Sequence, residues 1–179
     1  ERTILPDGLV LADGDIVFRR GSGLMSHTVV AADGGRYSHV GIVVDSAGVK
    51  MIVHAVPDEP DFPGDIDRVK MESPRKFFST INANVGEVMR YTDKNVARVA
   101  AREAMRLYRC GLLFDHDYDD NDSTKLYCSE LVERAYLGAG VSLTEQRRHD
   151  FVVPGFHFEH VIMPSDIYEN SRLRTIARF

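Results

Sequence analysis

The stretch RYSHVGIVVDSAGVKMIVHAVP, residues 36–57, reads as two β-branched runs joined by a DSAG turn, and so as a hairpin. Two histidines interrupt its apolar pattern: His39 at the mouth of the first run and His54 near the end of the second. An imidazole in such a run either satisfies its hydrogen bonds inside a core or belongs to a site. Side chains alternate across a strand, so His39 shares a face with Tyr37, Gly41 and Val43, and His54 with Ile52 and Val56. A four-residue loop over Asp45, Ser46, Ala47 and Gly48 pairs Val44 with Val49 and sets His39 directly opposite His54. A three-residue loop sends the two rings to opposite faces. Gly41 either leaves room for a ligand beside the His39 ring or marks a close backbone contact.

Working outward, GDIVFRR (14–20) and NANVGEVMRY (82–91) read as strands, and GSGLMSHTVVAADGG (21–35) as a short helix with Val29 and Val30 inward. Residues 56–65 carry Pro57, Pro60 and Pro63 and read as a loop. From Thr92 or Asp93 the period changes to that of a helix, with Val96, Val99, Ala100, Ala104, Leu107 and Tyr108 as its stripe and Gly111 as its stop. A second helix starts in LYCSELVERAY, where Cys128, Leu131, Val132, Ala135 and Tyr136 share a face. VIMPSDIY and LRTIARF close the chain as expected strands. Strands with two main helices, and no run of βαβ units, make the fold class α+β.

At 179 residues the chain is expected to form one domain, residues 1–179, able to bury roughly 70% of its unfolded surface. A net charge of −5 with no clustered basic face argues against nucleic acid as a partner. No apolar run approaches the ~18 residues of a membrane span. The chain opens on Glu1 rather than Met, as a trimmed or processed chain would.

Two histidines on strands call for a nucleophile. Cys128, at a helix start, meets unsatisfied N–H groups and the positive end of the helix dipole, which favour the thiolate. Its own backbone N–H is a candidate oxyanion donor. Taken alone, Cys128 also fits a small buried residue on an apolar helix face. Cys110 and Cys128 could instead form a disulfide, which would make the chain a silent binding module.

YSHVGIVV, IVHAVP and especially LYCSELVERAY resemble the YiiX-like branch of the NlpC-type cysteine hydrolases. GDIVF and IMPSDI extend the likeness over about residues 13 to 168. The resemblance implies a circularly permuted papain-like fold, with an antiparallel sheet or half-barrel against helices, because the histidine strand precedes the cysteine helix. It implies Cys128 as nucleophile, His39 as general base and His54 as the residue that orients the base. Relatives often carry Glu at the third position, and His is the weaker orienter. Asp58 and Glu59 lie beyond the strand as substitutes, though Pro57 turns the chain there. Tyr37 is expected to bind substrate, to assist the oxyanion or to pack on the rim.

The activity so implied is hydrolysis of an amide through a thioester acyl-enzyme, without cofactor or metal. The substrates are a small peptide, an amino-acid amide or a lipid-linked amide. A monomer in a secreted, periplasmic or envelope-associated setting is expected, with the cytoplasm as the alternative. Acyl transfer to an alcohol or amine by the same Cys128 and His39 is the alternative activity.

DHDYDDND (115–122) lacks the Gly and Glu of a calcium loop, since Asp120 and Leu126 stand at those places. It reads as turn chemistry, or as a lure for a cationic substrate group. His149, His157 and His160 do not match a helical zinc motif, and Pro154–Gly155 reads as loop.

Overall fold

A computed structural model of the chain describes residues 2–23 and 33–179, so the helix expected around Val29 and Val30 lies outside the described residues. The element order is β1 (Ile16–Arg20), β2 (His39–Ser46), β3 (Val49–Val56), β4 (Arg68–Glu72), α1 (Pro74–Phe77), β5 (Val85–Tyr91) and α2 (Lys94–Arg109). There follow β6 (Leu113–Phe114), β7 (Lys125–Leu126), α3 (Cys128–Leu137), β8 (His149–Val153), β9 (Phe156–Val161), α4 (Pro164–Tyr168) and β10 (Leu173–Arg178). The main sheet runs β10-β5-β1-β2-β3-β4-β6-β7, antiparallel except for the short β6–β7 pair, and does not close into a barrel. β8 and β9 form a separate hairpin.

The sheet has two unlike faces. Ile16, Phe18, Val40, Ile42, Val44, Val53, Ala55 and Val69 pack against α2 and α3, whose Ala100, Ala104, Leu131, Val132 and Ala135 complete the larger core. Val17, Val43, Ile52 and Val88 point the other way, toward Phe77, Phe78 and the N-terminal Leu11. α2 begins as its sequence implies, with the Asp93 carboxylate accepting from the Asn95 and Val96 amides.

The β2–β3 turn differs from the expected one. Ser46 pairs with Val49, leaving a two-residue loop in which Ala47 and Gly48 both have positive φ, 52° and 84°. Such a turn matches the strand twist better than a longer loop does. The register is therefore shifted by two residues from the expected Val44–Val49 pairing. Because side chains alternate with period two, a shift of two keeps every residue on its face. His39 and His54 stay on one face, staggered instead of directly opposite.

Other expectations also change. HDFVVPGFHFEH forms the β8–β9 hairpin, because Pro154–Gly155 turns the chain between two alternating runs instead of ending them. VIMPSDIY is strand only to Val161. Pro164 then starts α4, and Asp166 accepts from the Met163 amide at 2.8 Å, which caps a helix. The sequence reading assigned nothing to β4 and α1. Ser73 caps α1 by accepting from the Lys76 amide, and Pro74 presets its first turn.

Candidate active site

The site is built on an opening in the sheet. The β2–β3 ladder ends at Ile42–Val53. β2 nevertheless continues along β1 to His39, and β3 continues along β4 to Val56. The two strands thus keep their outer partners and part from each other. Continuing the register, the Val40 amide would bond to β3; instead it faces the sulfur of Cys128, the first residue of α3, whose charged form it favours. The thiol is thereby seated in the split, against the peptide group that joins His39 to Val40.

On the far face the two imidazoles meet. His39 Nε2 lies 2.8 Å from His54 Nδ1. His54 is fully buried and His39 is 8% exposed. Phe77 backs both rings, stacked on His39 at 5.7 Å and edge-on to His54 at 5.1 Å. Gly41 permits this approach: a Cβ there would stand 2.8 Å from Ile52 Cγ2 and 3.2 Å from His54 Cβ. The space beside Gly41 is taken by those two residues and is not room for a ligand.

Behind His54 stands a carboxylate that the sequence reading missed. Glu72 Oε1 is 3.0 Å from His54 Nε2, with both side chains buried. The approach is at hydrogen-bond distance but off the donor axis. Lys70 and Lys76 add ammonium groups at 3.7 and 3.5 Å from Glu72 Oε2. Arg19, the cross-strand neighbour of His39, donates to the Phe77 carbonyl at 2.7 Å, pairs with Glu59 and lies over the Phe77 ring. Glu59 therefore serves Arg19 and does not orient His39.

Burial and charge set the protonation states. Burial, together with the positive Arg19, His54 and Lys70, pushes His39 well below the usual imidazole range. Burial lowers His54 too, opposed by its contact with Glu72. For Glu72 burial acts upward, but the His54 contact and the charges of His54, Lys70 and Arg19 outweigh it and hold the carboxyl at about 2. Burial pushes the Cys128 thiol up, opposed by hydrogen bonds from Ser129, Val40 and its own backbone amide. This corrects the expectation of a thiolate favoured by the helix start: desolvation exceeds the hydrogen bonds that favour the charged sulfur. At neutral pH the resting thiol and His39 imidazole are both uncharged.

The remaining candidates fall as follows. Tyr37 precedes β2 and does not share the His39 face, because the chain has left strand alternation there. It packs with Phe18 and Tyr168 in the larger core, and its hydroxyl donates to Glu87 at 2.5 Å. The Cys128 backbone N–H points toward its own sulfur. Cys110 and Cys128 are both free thiols, which removes the disulfide on which the silent-module reading rested. In the acidic loop, Asp115 is buried and accepts from the Asp117 and Asp119 amides at 2.9 and 2.7 Å, as turn chemistry does. The same loop carries Tyr118, at φ 53°, against the rings of Tyr127 and Phe158. His149 pairs with Asp166 at 2.6 Å, apart from His157, which lies beside Glu159. Among the described residues no three His, Cys, Asp or Glu side chains gather where they could hold a metal ion. Nor is any helix among them long and apolar enough to cross a membrane.

Comparison with known proteins identifies the family and the fold. Residues 10–177 match the family described as "Permuted papain-like amidase enzyme, YaeF/YiiX, C92 family". A solved structure titled "Crystal structure of metalloprotein yiiX from Escherichia coli O157:H7, DUF1105" superposes with a TM-score of 0.75. It is 21% identical, over 93% of this chain and 97% of that one, a likeness of fold. No curated protein matches the chain.

Proposed function

This chain belongs to the permuted papain-like amidase family, and from that premise we propose that Cys128 and His39 carry amide hydrolysis through an acyl-enzyme. The observation that carries the reading is the seat of Cys128 in the β2–β3 split, its sulfur on the Val40 amide beside His39. His39 takes the thiol proton as sulfur attacks the carbonyl carbon. It then gives that proton to the departing amine, leaving a thioester. Water, deprotonated by His39, releases the carboxylic acid and restores the thiol. Because both partners rest uncharged, proton transfer accompanies attack, as in general-base catalysis. His54 holds the base in place.

For substrate we infer an acyl amide with an apolar tail, of the kind met in cell envelopes. Phe156, two-thirds exposed, stacks toward Phe158, which meets Tyr118, which in turn meets Tyr127 beside Cys128. Packed aromatic surface that begins at exposed Phe156 and ends at the residue before the nucleophile suits a hydrocarbon chain better than a polar peptide.

The test compares dodecanoyl-p-nitroanilide with acetyl-p-nitroanilide. The long acyl group should be cleaved with at least tenfold higher kcat/KM, and intact mass should show a dodecanoyl adduct on Cys128. Equal rates would remove the preference for an apolar tail, and a Cys128→Ala protein that still turns over would remove the nucleophile. Transfer of the acyl group to added amine in preference to water would make the protein an acyltransferase.

A further inference from the structure

We infer that Glu72 completes a relay, Glu72–His54–His39, and acts as a positioning residue that decides which nitrogen of His39 is basic. The inference rests on the reading of His39 as the base for Cys128.

The argument counts protons. A neutral imidazole carries one N–H and one lone pair, and an ionised carboxylate can only accept. Glu72 is ionised, with Lys70 and Lys76 beside it. At 3.0 Å from Glu72, His54 Nε2 must carry the hydrogen. His54 Nδ1 is then a lone pair, and at 2.8 Å it accepts from His39 Nε2. That leaves His39 Nδ1 as the nitrogen with a free pair, able to receive a proton. Without the carboxylate the chain of protons can run in reverse, with His54 Nδ1–H donating to His39 Nε2. His39 Nδ1 would then hold a hydrogen and could take no proton. A second imidazole alone cannot choose between these states; a carboxylate behind it can.

Glu72 also answers the charge that forms. When His39 receives the thiol proton, positive charge appears in a buried place beside Arg19 and Lys70. Glu72 is the carboxylate in contact with the relay. Around it stand Lys70 on its own strand, Lys76 on α1, Arg19 on β1, and Glu59 and Asp61 in the β3–β4 connection.

The experiment follows the protonation of Cys128 and needs no substrate. The rate of Cys128 alkylation by iodoacetamide is measured against pH in the intact protein, read by peptide mass, for wild type, Glu72→Gln and His39→Ala. Glu72→Gln should slow labelling at pH 7 about tenfold and move the inflection upward by about one unit, the loss of one nearby charge on the imidazolium. His39→Ala should slow it more. An unchanged profile in Glu72→Gln beside a changed one in His39→Ala overturns the relay and leaves the base intact. A profile insensitive to both overturns the Cys128–His39 reading itself.

Should Glu72→Gln fail to fold, ring 15N shifts of the wild-type protein decide instead. His39 and His54 should both be Nε2–H tautomers with unprotonated Nδ1. An Nδ1–H signal on His54 overturns the proposal, whatever its effect on packing.

Discussion

The two faces of the sheet are built from the same β-branched strands and do opposite things. On one, Ile16, Phe18, Ile42, Val44 and Val53 meet the apolar side chains of α2 and α3. On the other, Arg19, His39, His54, Lys70 and Glu72 are as deeply buried but are polar, and α1 covers them with Phe77. Apolar burial stabilises by area and tolerates local adjustment, whereas a buried polar group is tolerated only while each partner stays in place. The first face holds the sheet to its helices; the second holds one imidazole in one orientation. At the β2–β3 split a residue from the helix side, Cys128, comes against the peptide group that joins His39 to Val40.

The contrast can be broken one face at a time. His39→Ala should lower kcat/KM on dodecanoyl-p-nitroanilide, per folded molecule, by about 10³-fold or more, as expected for a lost general base, and leaving buried His54 without its partner should cost about 1–3 kcal/mol. Ile42→Ala, three residues along β2 and on the helix face, should spare the chemistry. It should destabilise by about 2–5 kcal/mol in urea titration while each folded molecule keeps its activity. Activity loss from Ile42→Ala as large as that from His39→Ala would dissolve the distinction.

His54→Ala should cost activity about 10- to 100-fold, less than His39→Ala, since it removes the support of the base and not the base. Equal losses would contradict that division. Gly41→Ala tests the contact between strands: the added methyl meets Ile52 and His54. It should destabilise by about 1–3 kcal/mol and lower activity along with it.

Acid should act through the polar face. His39 and His54 have folded pKa values below the ordinary 6.5. The unfolded chain therefore binds more protons below that pH, and their contribution is full above pH 6.5 and lost as pH falls. Glu72, held at about 2 against 4.5 when free, adds stability that is full above pH 4.5 and lost as pH falls toward 2. Urea midpoints should decline from pH 7 to pH 5, and His54→Leu should flatten that slope. Glu130 gives a smaller effect of opposite sign. Burial lifts its carboxyl to about 7 despite Arg134 at 2.8 Å, so its ionisation costs stability as pH rises from 4.5 through 7. Glu130→Gln should gain on wild type over that interval by on the order of 1–3 kcal/mol, read from midpoints at pH 5 and pH 8.

Much of this was legible in the chain. The hairpin, the two long helices, the strands β1, β5 and β10 and the shared face of His39 and His54 follow from local periodicity. A two-residue error in the turn left the shared face intact, because parity and not register sets it. β4 was hidden by its own charges. Arg68, Lys70 and Glu72 alternate with Val69 and Met71, a strand pattern whose polar side looks solvated. Lys70 and Glu72 are in fact buried, because ions from separate segments neutralise one another there. Nothing local marks α1 as the cover of two imidazoles.

Short-range periodicity alone thus determined which side chains share a strand face and which cysteine opens a helix, since both depend on neighbours a few residues apart. Which carboxylate backs His54, where β2 and β3 part, and whether the Cys128 thiol rests charged were decided only by the assembled fold. Those properties depend on desolvation and on charges brought together from distant segments, and no stretch of sequence contains them.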